Sequence, residues 1–134
     1  MKKSILTNIN HIKRLIKEIE VIESAINQFD IDNITTFKKS DLAQRVCTQC
    51  ITTVEMTKRL ISEDVKNNIN KFNKIKLSKT RNISSHDYDN VDMAIVYEIS
   101  IKLIGEDILF ELENEMKRLE ELQKQEEGEN QCNQ

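Results

Sequence analysis

The sequence predicts an all-α protein, an antiparallel four-helix bundle with one short extra helix, and three observations predict it. The chain of 134 residues holds no proline and only two glycines, Gly105 and Gly128, whereas a β-sandwich or barrel needs many tight turns built on those residues. Apolar residues recur at steps of three and four over long stretches, the spacing of one helix face. Hydrophobic residues make up 38% of the chain and aromatics only 4%, so the core consists of Ile, Leu and Val, and the helical spacing of the isoleucines overrides their β preference. The length fits one domain, expected over residues 1–125, followed by a polar, frayed tail over 126–134.

The first helix is predicted from Ile5, Ile9, Ile12, Ile16, Ile19, Ile22 and Ile26, one apolar stripe about seven turns long. Asp30 to Thr36 breaks the pattern and reads as a loop. Ser40 is placed to accept an orphan backbone N–H as the N-cap of a second helix. That helix carries Leu42, Val46, Cys50, Val54 and Ile61 and ends near Ser62. Asp64 is the expected cap of a short helix with Val65, Ile69 and Phe72. Ile75 to His86 is predicted as a third core helix, with Asp87 to Asn90 as a turn and Asp89 or Asn90 as the next cap. A last long helix runs from Met93 to Leu122, with Gly105 inside it as a bend or a close-packing point.

No stretch approaches the ~18 apolar residues of a membrane span, and the N-terminal residues are too polar for a secretory leader. A cytoplasmic protein is therefore expected, with Cys47, Cys50 and Cys132 as free thiols. Cys47-Thr48-Gln49-Cys50 is a CxxC, but no second ligand pair accompanies it, as structural zinc would require. Both cysteines fall inside a predicted helix and read as small core residues. No metal site and no cofactor is expected. His11 falls on the polar side of the first helix and reads as solvated.

The net charge is −3, and its distribution says more than its sum. From Val65 to His86 there is no acid, while Lys66, Lys71, Lys74, Lys76, Lys79 and Arg81 give six positive charges. From Gly105 to Glu129 there are ten acids against Lys117, Arg118 and Lys124. A basic stretch in an acidic chain can serve as a local anion site; it can equally be one solvated helix face.

The basic stretch ends in the segment that carries chemistry, Arg81-Asn82-Ile83-Ser84-Ser85-His86-Asp87-Tyr88. A histidine titrates near neutral pH and can take a proton from a ribose 2′-hydroxyl or give one to a leaving 5′-oxygen. An arginine keeps its charge and presents a planar fork to phosphate oxygens, suited to an anionic transition state. Such cleavage needs no metal and leaves a 2′,3′-cyclic phosphate. On a continuous helix five residues give about 140° of projected separation and a rise of about 7.5 Å, so both side chains share one mouth only if the helix ends near Ser85. Each residue has a plainer reading: His86 as a helix-end group capping carbonyls, Arg81 as half of a surface ion pair, Tyr88 as a half-buried packing residue.

This octapeptide resembles the R-x4-H-x-Y motif of HepT-type HEPN toxins, including the polar residue after the arginine. Phe37-Lys38-Lys39-Ser40-Asp41-Leu42-Ala43-Gln44-Arg45 resembles the start of that family's second helix, and Asn90-Val91-Asp92-Met93-Ala94-Ile95-Val96-Tyr97-Glu98 resembles the segment after its motif. The resemblance spans roughly residues 1 to 122. Phe72-Asn73-Lys74-Ile75 stands where family members often carry Ile-Pro-Trp. The resemblance implies a homodimer with Arg81 and His86 of both subunits in one cleft, supported by Asn82 and Ser85. It implies a metal-independent endoribonuclease toxin acting on RNA, with no DNA and no membrane partner. It also implies an antitoxin, a small MNT-type nucleotidyltransferase that transfers AMP to Tyr88, placing negative charge and bulk in a cationic cleft. Two other functions stay open: a non-catalytic HEPN partner or substrate-binding subunit of a nucleotidyltransferase, and a plain helical interaction module.

Overall fold

A computed structural model describes residues 4–77 and 92–132, with side chains as far as residue 128. Among these residues the chain is an all-α bundle, with no strand. Four long helices, α1 (Ile5–Gln28), α3 (Asp41–Leu60), α6 (Met93–Leu103) and α7 (Glu106–Cys132), are accompanied by the short α2 (Ile34–Lys39), α4 (Glu63–Lys66) and α5 (Asn70–Asn73). The single short helix predicted from sequence is thus three. No described helix is long and apolar enough to cross a membrane.

α1 is the axis of the bundle and packs against both α3 and α7. Its predicted stripe is buried from Ile9 to Ile26, joined by Leu15, because a helix covered from two sides needs an apolar arc wider than one row. It starts at Ser4, whose Oγ accepts from the Thr7 amide at 3.1 Å. It stops at Asp30, where φ is +53°. There the Ile31 amide donates to the Ile26 carbonyl at 2.9 Å and the Asp30 amide to that of Asn27 at 3.3 Å, closing a Schellman turn around a left-handed residue.

The segment Asp30 to Thr36, predicted as a loop, contains the start of α2. Asn33 caps it through a capping box: the Thr36 amide donates to Asn33 Oδ1 at 3.0 Å, and the Asn33 amide to Thr36 Oγ1 at 3.2 Å. The reciprocal bonds stabilise a helix too short to show periodicity. The next cap is as predicted, with the Ala43 amide donating to Ser40 Oγ at 3.2 Å. The face of α3 is as predicted at Cys50, Val54 and Ile61 and differs at its start. Leu42 is 56% exposed and Val46 half-buried, whereas Ala43, Cys47, Cys50, Ile51 and Val54 are buried. α3 packs between α1 and α6, and the small Cys47 lies against Ser100 of α6. Ser100 of α6 is fully buried and returns its hydroxyl to the Val96 carbonyl at 2.8 Å.

Asp64 does not cap the short helix; it lies inside α4, which follows Ser62, and accepts from the Ser62 hydroxyl at 2.7 Å. Val65, Ile69 and Phe72 are buried as predicted. Ile75 and Lys76 are not helical, so the predicted third core helix does not begin there, although Ile75 and Leu77 are buried. The remainder of that helix and the turn Asp87 to Asn90 lie outside the described residues. The cap of α6 is Asp92, whose Oδ1 accepts from the Ala94 amide at 2.9 Å, rather than Asp89 or Asn90. The last long helix is two helices, broken at Ile104 and Gly105. A Cβ on Gly105 would sit 3.2 Å from the Lys102 carbonyl oxygen, which marks the break as a close approach. The residues read as a frayed tail continue α7 as far as Cys132.

Candidate functional site

The residues around the basic stretch are held by groups distant in sequence. Asn8 of α1 is buried; its Nδ2 donates to Ser62 Oγ at 2.9 Å and its Oδ1 accepts from the Ser62 amide at 3.2 Å. This clamp fixes the turn from α3 into α4. Asn73 Nδ2 donates to the Lys66 carbonyl at 2.6 Å and ties α5 back to α4. From the other side, Glu111 of α7 accepts from the Lys71 amide through both carboxylate oxygens, at 3.0 and 3.1 Å, a negative group at the start of α5 where orphan amides favour one. Glu115 is only 4% exposed. Its carboxylate accepts from Arg118 at 2.6 and 2.8 Å and from Asn68 Nδ2 at 2.9 Å, so the buried charge is paired and hydrogen-bonded, as burial demands. Part of the acid-rich C-terminal run thus holds part of the basic stretch in place.

A cleft of about 320 Å³ opens beside this segment, lined by Glu55, Lys58 and Arg59 of α3, Lys66 of α4, and Asn73, Ile75, Lys76 and Leu77. Lys58 and Arg59 lie in the last turn of α3, where the helix's carbonyl end favours cations. Arg59 donates to Glu55 at 2.9 Å. The Lys58 ammonium sits 5.4 Å from the centre of the Phe72 ring, within cation–π range. Burial pushes the Lys58 pKa down, and the like charge of Lys66 pushes it further. A smaller cleft of about 180 Å³ shares Ile75 and Lys76 and adds Lys74, Glu98, Ile99 and Lys102. Residues 74–76, just before the motif segment, therefore lie against α6, which follows it. Four cations against one acid in the larger cleft suit an anionic ligand of the phosphate class.

Arg81, Asn82, Ser85, His86 and Tyr88 all lie outside the described residues. Cys47 and Cys50 are where the sequence puts them, as buried core residues in the middle of α3. Burial raises the Cys47 thiol, and burial together with the neighbouring Glu18 pushes Cys50 up to about 12, which holds both protonated and unreactive. His11 is half-buried and engaged rather than merely solvated. Sequence reasoning missed Lys58 and Arg59. The available signal was a Lys-Arg pair at the end of a helix, immediately before the basic stretch. Comparisons of the chain with protein-family models, with curated proteins and with solved structures give no match.

Proposed function

We propose that this protein is a metal-independent endoribonuclease of the toxin type. The reading is carried by the octapeptide Arg81 to Tyr88, which continues a basic stretch whose described residues line a cationic cleft. His86 takes the proton of a ribose 2′-hydroxyl, the 2′-oxygen bonds to the adjacent phosphorus, and the 5′-oxygen leaves with a proton. Arg81 offsets the charge that builds on the phosphoryl oxygens. A homodimer supplies a second His86, so one copy acts as base and the other as acid. A nucleotidyltransferase partner silences the site by moving AMP from ATP onto Tyr88, with pyrophosphate leaving; the added phosphate repels the RNA backbone and the nucleoside fills the cleft.

The test is cleavage of single-stranded RNA by the purified protein in EDTA. Arg81→Ala and His86→Ala are each expected to abolish it with unchanged helical content. Cleavage that survives both substitutions overturns the assignment. No cleavage by the unsubstituted protein, together with AMP transfer to Tyr88, favours the non-catalytic partner of a nucleotidyltransferase.

A further inference from the structure

The clefts around residues 70–77 differ in their balance of charge. The one against the start of α7 sets Lys71, Lys74 and Lys102 against Glu106 and Asp107. The next along α7 sets Lys71 and Arg118 against Asp107, Glu111 and Glu115. Among the described residues the cleft between α3 and α4 sets Lys58, Arg59, Lys66 and Lys76 around Glu55, and the smaller cleft that shares Lys76 with it sets Lys74 and Lys102 beside Glu98.

The cations of the cleft between α3 and α4 come from three parts of the chain and outnumber the acids beside them. Glu55 accepts from Arg59. Lys66 has Glu63 at 3.5 Å, but that carboxylate is 85% exposed and such pairs are weak. Neither Lys58 nor Lys76 has a carboxylate within ion-pair distance among the described residues. α3 ends here, which explains Lys58 and Arg59 by the helix dipole alone, but Lys76 lies on no helix and needs another reason. Leu77, at the edge of the cleft, directly precedes the segment that carries Arg81 and His86.

We propose that this cleft is a phosphate-binding subsite for single-stranded RNA, in which Lys58, Lys66 and Lys76 grip the RNA backbone. The inference rests on the ribonuclease reading and extends it to residues outside the motif. The cleft makes no base-specific claim: ammonium groups read charge, so it contributes affinity and register and leaves sequence choice to other contacts. A bound phosphate also relieves the repulsion between Lys58 and Lys66 that pushes the Lys58 pKa down.

The experiment titrates a labelled short single-stranded RNA into His86→Ala protein, which holds the RNA uncut, across a series of salt concentrations. Lys66→Gln/Lys76→Gln in the same background is expected to weaken binding about tenfold at low salt. It should also flatten the log–log salt slope by about 1.4, the loss of two phosphate contacts on a single strand. Lys58→Met, which removes the ammonium and keeps an unbranched apolar side chain, gives a further arm expected to weaken binding in the same direction, and the thermal midpoint of each variant reports its fold. AMP is titrated in parallel and is expected to bind far more weakly than the RNA. Equal RNA affinity and slope in the lysine variants, or AMP binding as tight as RNA, overturns the subsite. If the unsubstituted protein fails to cut RNA while the lysine variants still lose affinity and slope, the ribonuclease reading falls and the subsite stands. If it cuts and the lysine variants bind unchanged, the reverse holds.

Discussion

Glu115→Ala removes the acceptor that joins α7 to the entrance of α5. Its carboxylate takes two hydrogen bonds from Arg118, at 2.6 and 2.8 Å, and one from Asn68 at 2.9 Å. Hydrogen bonds to a charged group contribute about 1.5–3 kcal/mol each when both partners are buried. The Arg118 side chain is 45% exposed, so water recovers most of its share and those two bonds count for less. Asn68 is itself exposed, so water takes up its freed amide and only the net contribution of the bond is lost, about 1 kcal/mol. The expected cost is about 2 kcal/mol, which for a chain of this length lowers the thermal midpoint by about 6 °C. Urea unfolding followed by far-UV circular dichroism measures it as a lower midpoint with unchanged slope. Hydrogen exchange should rise first in residues 68–77, because that segment loses one of its ties to α7. Glu115→Gln keeps the shape and part of the bonding and should cost less than half as much. A loss under about 1 kcal/mol for Glu115→Ala, with no change in exchange at 68–77, refutes the role given to this carboxylate.

Asp30 holds φ at +53°, so Asp30→Gly should stabilise the protein by about 0.5 kcal/mol by removing the left-handed penalty; an unchanged or lower unfolding midpoint contradicts the Schellman turn. Cys50 has a folded pKa of about 12 against a reference of 9.0. The folded state therefore binds the thiol proton more tightly, and stability is expected to be flat below pH 9 and to fall as pH rises from 9 towards 12. In a Cys132→Ser background, thiol reagents should label Cys47 and Cys50 only on unfolding, and rapid labelling of the native protein at pH 8 would contradict the burial described. Incubation with the partner nucleotidyltransferase and ATP should add whole multiples of AMP mass, lost in Tyr88→Phe; an unchanged mass in the unsubstituted protein removes that mode of control.

Legibility in the sequence followed the range of the interaction. The α1 stripe could be read because burial repeats along one helix, and Ser40 because a cap is a contact three residues long. α3 was read correctly at Cys50, Val54 and Ile61 and misread by one position at its start: Leu42 and Val46 are more apolar than Ala43 and Cys47, yet the small residues are the buried ones, and only the packed neighbour reveals that. Asn33 and Thr36 were legible in principle as a capping box, but the helix they start is too short to carry a pattern. The break at Gly105 was visible as a bend and not as two helices, because the apolar spacing continues across it. Glu111 and Glu115 act on Lys71 and Asn68, 40 and 47 residues away, and no local pattern shows that acids of one helix hold the basic segment of another. The motif Arg81 to Tyr88 was legible as a resemblance and lies outside the described residues, while the cationic cleft emerged only when the end of α3 met α4 and residues 75–77.

The chemistry assigned to Arg81 and His86 is tested most directly at the ends of the cut RNA. Mass spectrometry of products formed in EDTA should find 2′,3′-cyclic phosphates paired with 5′-hydroxyls, and a single 2′-deoxy substitution at the scissile position should block the cut. Products with 3′-hydroxyl and 5′-phosphate ends, or undiminished cutting at the deoxy position, would contradict attack by the 2′-oxygen.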